Sequence, residues 1–333
     1  MKICFLGFGR RGKTLYGHLA SIKGVSVAGI FDPVREVSYP AKYYADPRTM
    51  LSECMPDLVV DAAPPKYRFN NIMLCDEFKV PLICEKPLLF SKKQLGKLKK
   101  VKINIYPAYQ LNYDCLIQKS FSMANIKDIQ SIALAQRVNL NLKGWRSNKR
   151  IAGGGALSDN GAHLINLVVQ KFGLPRKVFA NSVSIKSGVE SAIDGLLWYS
   201  NFTVRFSANW NSPVGKETKI DITTNIKDVH FIETNQGKSL RTNFSVSSGE
   251  WTQQTEESFY ESRGLDRDLS KNPFNQYSRD ATARMLGVFI DDALSCHGRR
   301  SVLAHAGFQA AIGTARVINA LYESASKNKI VRL

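Results

Sequence analysis

The chain has 333 residues, 44% of them hydrophobic and 22% charged, which is enough apolar material for two domains that each bury a core. That balance excludes a chain disordered throughout, and no apolar run approaches the roughly 20 residues needed to cross a bilayer. With 46 Lys and Arg against 28 Asp and Glu the formal charge is +18, which admits nucleic acid, anionic lipid or anionic small molecules as partners, or simply a solvated basic surface.

The opening MKICFLGFGRRG has too short an apolar run for a secretory leader and passes directly into glycines, so it reads as a strand. Through the first hundred residues the apolar runs KICFLGF, VSVAGIF, DLVVDAAP, PLICEKP and KINIYPAY alternate with the helix-length KTLYGHLASI and FNNIMLCDEF. A polar stretch follows the second run. In SKKQLGKLKKVK, residues 91 to 102, Leu95, Leu98 and Val101 recur at helical spacing, which makes the lysines the wet face of an amphipathic helix. Continuous apolar strands separated by helical segments predict a doubly wound parallel sheet, a Rossmann domain over 1–112.

After about residue 112 the rhythm changes, and an α/β domain with a large, mostly antiparallel sheet is expected over 113–333. A helix near Tyr113 to Ser122 and the strand SIALAQRVNL lead into a glycine segment and a helix ending near Phe172. KVFANSVSIKS, AIDGLLWYS, FTVRFSANW, ETKIDITTN and DVHFIETN then read as antiparallel strands with short turns. From about Thr242 to Pro273 the sequence is polar with little periodicity and reads as a long loop or a partner-contacting segment. Helices from about Gln276 and about Val302 close the chain. The six cysteines are scattered with no C-x-x-C pair, which points to a reducing cytoplasm and gives no metal site.

In the first strand-to-helix turn, Gly7, Phe8, Gly9, Arg10, Arg11 and Gly12 form G-x-G-x-x-G. The pattern supplies a tight turn, close approach to a pyrophosphate and close helix packing, and the helix N-terminus offers N–H groups to the phosphates. Alone it could be an ordinary tight turn. Asp32, at the end of the second strand and about twenty residues on, strengthens it as an acceptor for the ribose hydroxyls. A carboxylate there repels a 2′-phosphate, so NAD(H) is favoured, with NADP(H) the alternative that Arg10, Arg11 and Arg35 keep open.

With that turn, CEKP at 84–87 and GGGALSDNGAH at 153–163, the chain resembles the Gfo/Idh/MocA oxidoreductases over nearly its whole length, down to the closing INALYESASKNKIVRL. The resemblance implies a nicotinamide-dependent dehydrogenase or reductase of a sugar, nucleotide sugar or cyclitol. It also implies an open-sheet domain that binds substrate and forms a homodimer or homotetramer. Pro64, Glu85 and Lys86 would line the cofactor, with Lys86, Asp159 and His163 as the catalytic set. Asp159 and His163 lie four residues apart, so on a helix they share a face. A neutral imidazole, which ordinarily titrates at about pH 6.5, suits removal of a hydroxyl proton. Lys86 would donate to the reacting oxygen or would itself take the proton, and Asp159 would orient His163 or grip a neighbouring hydroxyl.

The glycines are expected to let the backbone crowd against nicotinamide and substrate, with Trp145, Arg146 and Asn160 joining the substrate pocket. The basic Arg146, Lys149 and Arg150 favour a pyrophosphate-bearing sugar. Three positions depart from the family pattern. Asn166 stands where many members carry Asp, which removes a charge from the substrate pocket. Arg68 stands in the place of a histidine, and Asp61 where an apolar residue is usual. The competing readings are a non-catalytic dinucleotide sensor, a reductase of a non-sugar substrate, and nucleic-acid binding, for which the chain has no reading element.

Overall fold

A computed structural model of the chain describes residues 1–33, 41–140, 142, 144–186, 188–213, 215–236, 239–247, 251–255, 280–296 and 298–333. They form two compact units: Met1–Tyr109 with the described part of Asp268–Ile312, and the described part of Gln110–Arg267 with Gly313–Leu333.

The first unit is a parallel sheet of six strands, β1 (Lys2–Leu6), β2 (Ser26–Phe31), β3 (Lys42–Tyr44), β4 (Leu58–Asp61), β5 (Leu82–Glu85) and β6 (Ile105–Ala108), in the order β3-β2-β1-β4-β5-β6. This is the doubly wound order, whose crevice opens at the carboxyl ends of β1 and β4. β4, β5 and β6 are buried at every residue, as strands covered on both faces must be. Helices α1 (Arg10–Ala20), α2 (Pro47–Cys54), α3 (Arg68–Glu77) and α4 (Lys92–Leu98) connect them. β3 and α2 fall in the polar stretch where no element is expected from periodicity. Their signal is local chemistry: Asp46 caps α2 by accepting from Thr49 N–H at 2.7 Å, and Pro47 occupies its first position. In α4 the expected wet-face lysines stand on a helix closed by a Ser91–Gln94 capping box.

The second unit is built on nine strands: β7 (Ile129–Arg137), β8 (Lys177–Lys186), β9 (Val189–Trp198), β10 (Thr203–Asn209), β11 (Lys216–Thr224), β12 (Asp228–Gln236), β13 (Ser239–Ser247), β14 (Trp251–Thr255) and β15 (Val331–Arg332). Their order is β14-β13-β12-β11-β7-β10-β9-β8-β15, and every neighbouring pair is antiparallel except β10 with β7. Helices α5 (Cys115–Ser122), α6 (Lys149–Ala152) and α7 (Ala162–Phe172) belong to this unit. The sheet alternates along β10, with Val204, Phe206 and Ala208 buried and Arg205 exposed between them.

Two expectations change. First, the compact units part at Tyr109 and Gln110, and α8 (Ala281–Cys296) and the start of α9 (Val302–Lys327) group with the parallel sheet and not with the rest of 113–333. There Phe289 packs on Tyr106, centroids 5.1 Å apart, and the Tyr106 hydroxyl donates to Asp292 at 2.7 Å. A terminal strand needs its face covered, and a distant part of the chain supplies the cover. Secondly, Thr242–Ser247 and Trp251–Thr255 are not loop: they lie in β13 and β14, which pair Asn243 with Thr255 and Ser247 with Trp251. Only Phe244-Ser245-Val246-Ser247 alternates there, a short period-2 signal within an otherwise polar stretch. Residues 256–273 of that stretch, and Gln276 at the expected helix start, lie outside the described residues. Among the described residues no helix is long and apolar enough to cross a membrane, and the six cysteines are free thiols.

Candidate active site

In the first unit the glycine turn has the shape its sequence demands. Gly7 sits at φ +86°, and a Cβ there would lie 2.7 Å from the backbone of Ala63. A Cβ on Gly12 would lie 2.6 Å from the Gly7 carbonyl oxygen, so α1 can pack this close only without one. At Gly9 the reason is different. A Cβ would meet nothing within 4 Å, so the chain's own packing does not require glycine, whereas close approach of a phosphate does. Gly9 is also the N-cap of α1 and brings no side-chain cap, and the first turn holds no acid. Asp32 accepts from Phe8 N–H at 2.7 Å, which fixes its carboxylate beside the turn. These residues fit a dinucleotide.

The E-K-P turn stands at the end of β5, two strands from β1, and its Lys86–Pro87 peptide is cis. Glu85, almost fully buried, takes Arg11 Nε on one oxygen and Lys86 N–H on the other at 3.2 Å. The dinucleotide turn and the E-K-P turn are thereby tied together, and Arg11 Nε is committed to Glu85. Its Nη2 is buried without a partner among the described residues, a donor that an anionic ligand would satisfy. Arg10 is exposed, Pro64 and Lys86 are half-buried, and Arg35 lies outside the described residues.

The two departures at 61 and 68 are one feature. Asp61 and Arg68 are 0% and 1% exposed and pair through Oδ2 and Nη1 at 3.0 Å. Burial is the largest single influence and disfavours the guanidinium charge, but Asp61, Cys84 and Glu85 together outweigh it, and the net effect raises the Arg68 pKa. Asp61 also accepts from Asn71 Nδ2 and Ala63 N–H, both at 3.0 Å.

In the second unit the glycine segment is explained by the protein itself. A Cβ on Gly154 would lie 1.8 Å from the Tyr322 hydroxyl, and one on Gly155 would lie 1.9 Å from the Glu190 carbonyl oxygen. Glu190 clamps the segment. Its backbone oxygen accepts from Ala156 N–H at 2.8 Å, and its Oε1 accepts from Gly155 N–H at 2.8 Å, Leu157 N–H at 3.1 Å and Tyr322 O–H at 2.7 Å. Burial, and then the Glu190 charge, push the Tyr322 phenol well above its usual range. Packing within the protein therefore suffices to require glycine at positions 154 and 155, without any appeal to nicotinamide or substrate. Sequence reasoning missed Glu190 and Tyr322; the one available signal was an acid inside the apolar strand VESAIDGLLW.

Beyond the clamp the chain makes a π turn, Leu157–Gly161, closed by Gly161 N–H on the Ala156 carbonyl at 2.8 Å, and α7 follows. Asp159 lies in this wide turn rather than in regular helix, and His163, 5% exposed, lies at the start of α7. Such turns recur at functional sites because they redirect a side chain without ending the helix. Arg146 stacks on Trp145 at 4.4 Å and lies 3.9 Å from Asp159 Oδ2, so three of the expected residues are together. Asn160 is drawn inward, and its amide donates to the Gln136 carbonyl at 2.7 Å, a bond to β7 instead of an outward-facing group. Asn166, 1% exposed, accepts from Asn112 at 2.6 Å and donates to Thr314 at 2.9 Å, so it belongs to a buried network.

The fold is a doubly wound parallel sheet with a mostly antiparallel open sheet. Two solved structures share it over the whole of this chain. GenD2 from gentamicin A biosynthesis, in complex with NAD, superposes with a TM-score of 0.79 at 16% identity, covering 100% of this chain and 96% of that one. The WlbA dehydrogenase from Bordetella pertussis, in complex with NADH and UDP-GlcNAcA, gives 0.77 at 14% identity, covering 100% and 97%. Residues 126–225 match the GFO/IDH/MocA C-terminal domain, which bears out the resemblance read from the motifs over that stretch. The chain is also 22% identical over 206 residues to scyllo-inositol 2-dehydrogenase (NADP(+)) IolW of Bacillus subtilis (strain 168). That match covers 57% of each chain, so this protein spans a little over half the length of that relative.

Proposed function

We propose that the protein is a nicotinamide-dependent oxidoreductase interconverting a secondary alcohol and a ketone on a sugar or cyclitol. The observation that carries this is the Arg11–Glu85 pair, which joins a dinucleotide-shaped turn directly to the turn bearing Lys86. When bound, the cofactor accepts or donates the hydride. The chain's own residues bind, orient and move the proton. The N-terminus of α1 takes the pyrophosphate, and Asp32 takes the adenosine ribose, which favours NAD(H) over NADP(H). His163 takes the hydroxyl proton in the oxidative direction and returns it in the reductive one. Lys86 donates to the reacting oxygen and steadies its charge as the proton leaves, and Asp159 holds a neighbouring hydroxyl or the imidazole.

Within the class, a nucleotide sugar is the substrate we favour, since Arg146, Lys149 and Arg150 precede the glycine segment in a chain of charge +18. A homodimer or homotetramer is proposed through the sheet of the second unit, where Ser131, Ala133, Ala135 and Arg137 of β7 form the less buried row. The test is a panel of inositols, free sugars and uridine-diphosphate sugars, scored by change in reduced-nicotinamide absorbance with each cofactor. Turnover of uridine-diphosphate sugars alone supports the favoured class. Turnover of inositols or free sugars alone removes the nucleotide requirement, and no turnover of any of them contradicts the reading.

A further inference from the structure

We propose that Arg68, paired with Asp61, is a positioning residue for Lys86. The inference rests on the reading of Lys86 as a catalytic group. Beyond its bond to the Asp61 carboxylate, the Arg68 guanidinium donates from Nη1 to the Asp61 carbonyl at 3.2 Å and from Nη2 to the Lys86 carbonyl at 3.3 Å. Its Nε has no partner among the described residues. Lys86 is therefore gripped on both sides of its α-carbon, at its N–H by Glu85 and at its carbonyl by Arg68.

Stability does not explain so buried a pair. Desolvating two ions typically offsets their attraction, and apolar residues of similar volume are often as stable or more so. Nor does a tie between β4 and α3 explain it, because such a tie needs only Asp61 and Arg68, whereas the Lys86 carbonyl lies eighteen residues along the chain on another strand's turn. A guanidinium suits this task because its rigid fork reaches two acceptors at once, whereas an ammonium is a single compact charge. Asp61 supplies the counter-charge that lets the fork sit under the turn.

The test uses the full-length protein and needs no substrate. Lys86 acetylation by acetic anhydride is followed by peptide mass spectrometry across pH and referred to the exposed Lys127 in the same sample. It is measured in the parent, in Arg68→Lys, which keeps a charge beside Asp61, and in Asp61→Leu/Arg68→Met, which removes both charges. NADH binding and the melting temperature are measured alongside. We expect Lys86 to react at least threefold faster in both variants and the midpoint of its pH profile to move, while NADH still binds. A Lys86 profile unchanged from the parent in a folded, NADH-binding variant overturns the proposal. Where the double variant fails to fold, Arg68→Lys decides. Turnover by Lys86→Ala addresses the catalytic reading separately: unchanged turnover there removes Lys86 from the reaction but leaves the labelling result to stand.

Discussion

At the level of single residues, chemistry and packing can be separated. His163→Ala and Lys86→Ala should each lower turnover by roughly 100- to 10,000-fold, the usual contribution of a positioned proton-transfer group, while NADH affinity stays close to the parent's. Steady-state kinetics with parallel binding titrations check this, and unchanged turnover would remove either residue from the mechanism. Asp32, held by Phe8 N–H, should discriminate the two cofactors: Asp32→Ala should weaken NADH more than NADPH. A parent protein that already prefers NADPH would contradict that role. The expectation for such residues is local, being drawn from the turn or strand end in which they occur. The surroundings of Asn160 and Asn166 are not legible in this way. Their partners Gln136, Asn112 and Thr314 lie 24, 54 and 148 residues away, and a side chain's burial is not written in its neighbours along the chain.

At the level of elements, the glycines fall into two kinds that the sequence does not distinguish. Gly155 is required by packing against Glu190, so Gly155→Ala should lower stability by about 3 kcal/mol, toward the upper end of overpacking effects, and thermal unfolding will show it. Gly9 faces open space at φ −68°, so Gly9→Ala should leave the melting temperature of the ligand-free protein almost unchanged and weaken dinucleotide binding. Equal melting losses in both variants would refute the distinction. The same limit explains what was missed among the strands. Apolar β1, β4 and β5 declare themselves, whereas the Ser- and Thr-rich β13 and β14 are held by pairing with their neighbours and carry little hydrophobic signal. Helix α2 was legible in principle, from Asp46 and Pro47, but not from periodicity.

At the level of the whole molecule, the two-part architecture followed from the change of rhythm near residue 112. The return of α8 to the parallel sheet did not, because nothing local in Ala281–Cys296 states which sheet it covers. The charge of +18 has a use if the substrate carries a pyrophosphate, and attraction of that kind weakens as salt screens it. KM for a uridine-diphosphate sugar should therefore rise with ionic strength while KM for an uncharged sugar does not, and equal salt dependence would separate the charge from substrate capture. The most direct test of the central claim is a titration of the purified protein with NADH and, separately, NADPH, followed by quenching of tryptophan emission and by the nicotinamide's own fluorescence. The account predicts saturable binding, tighter for NADH than for NADPH. Binding of neither would contradict it, for the glycine turn would then be structural alone.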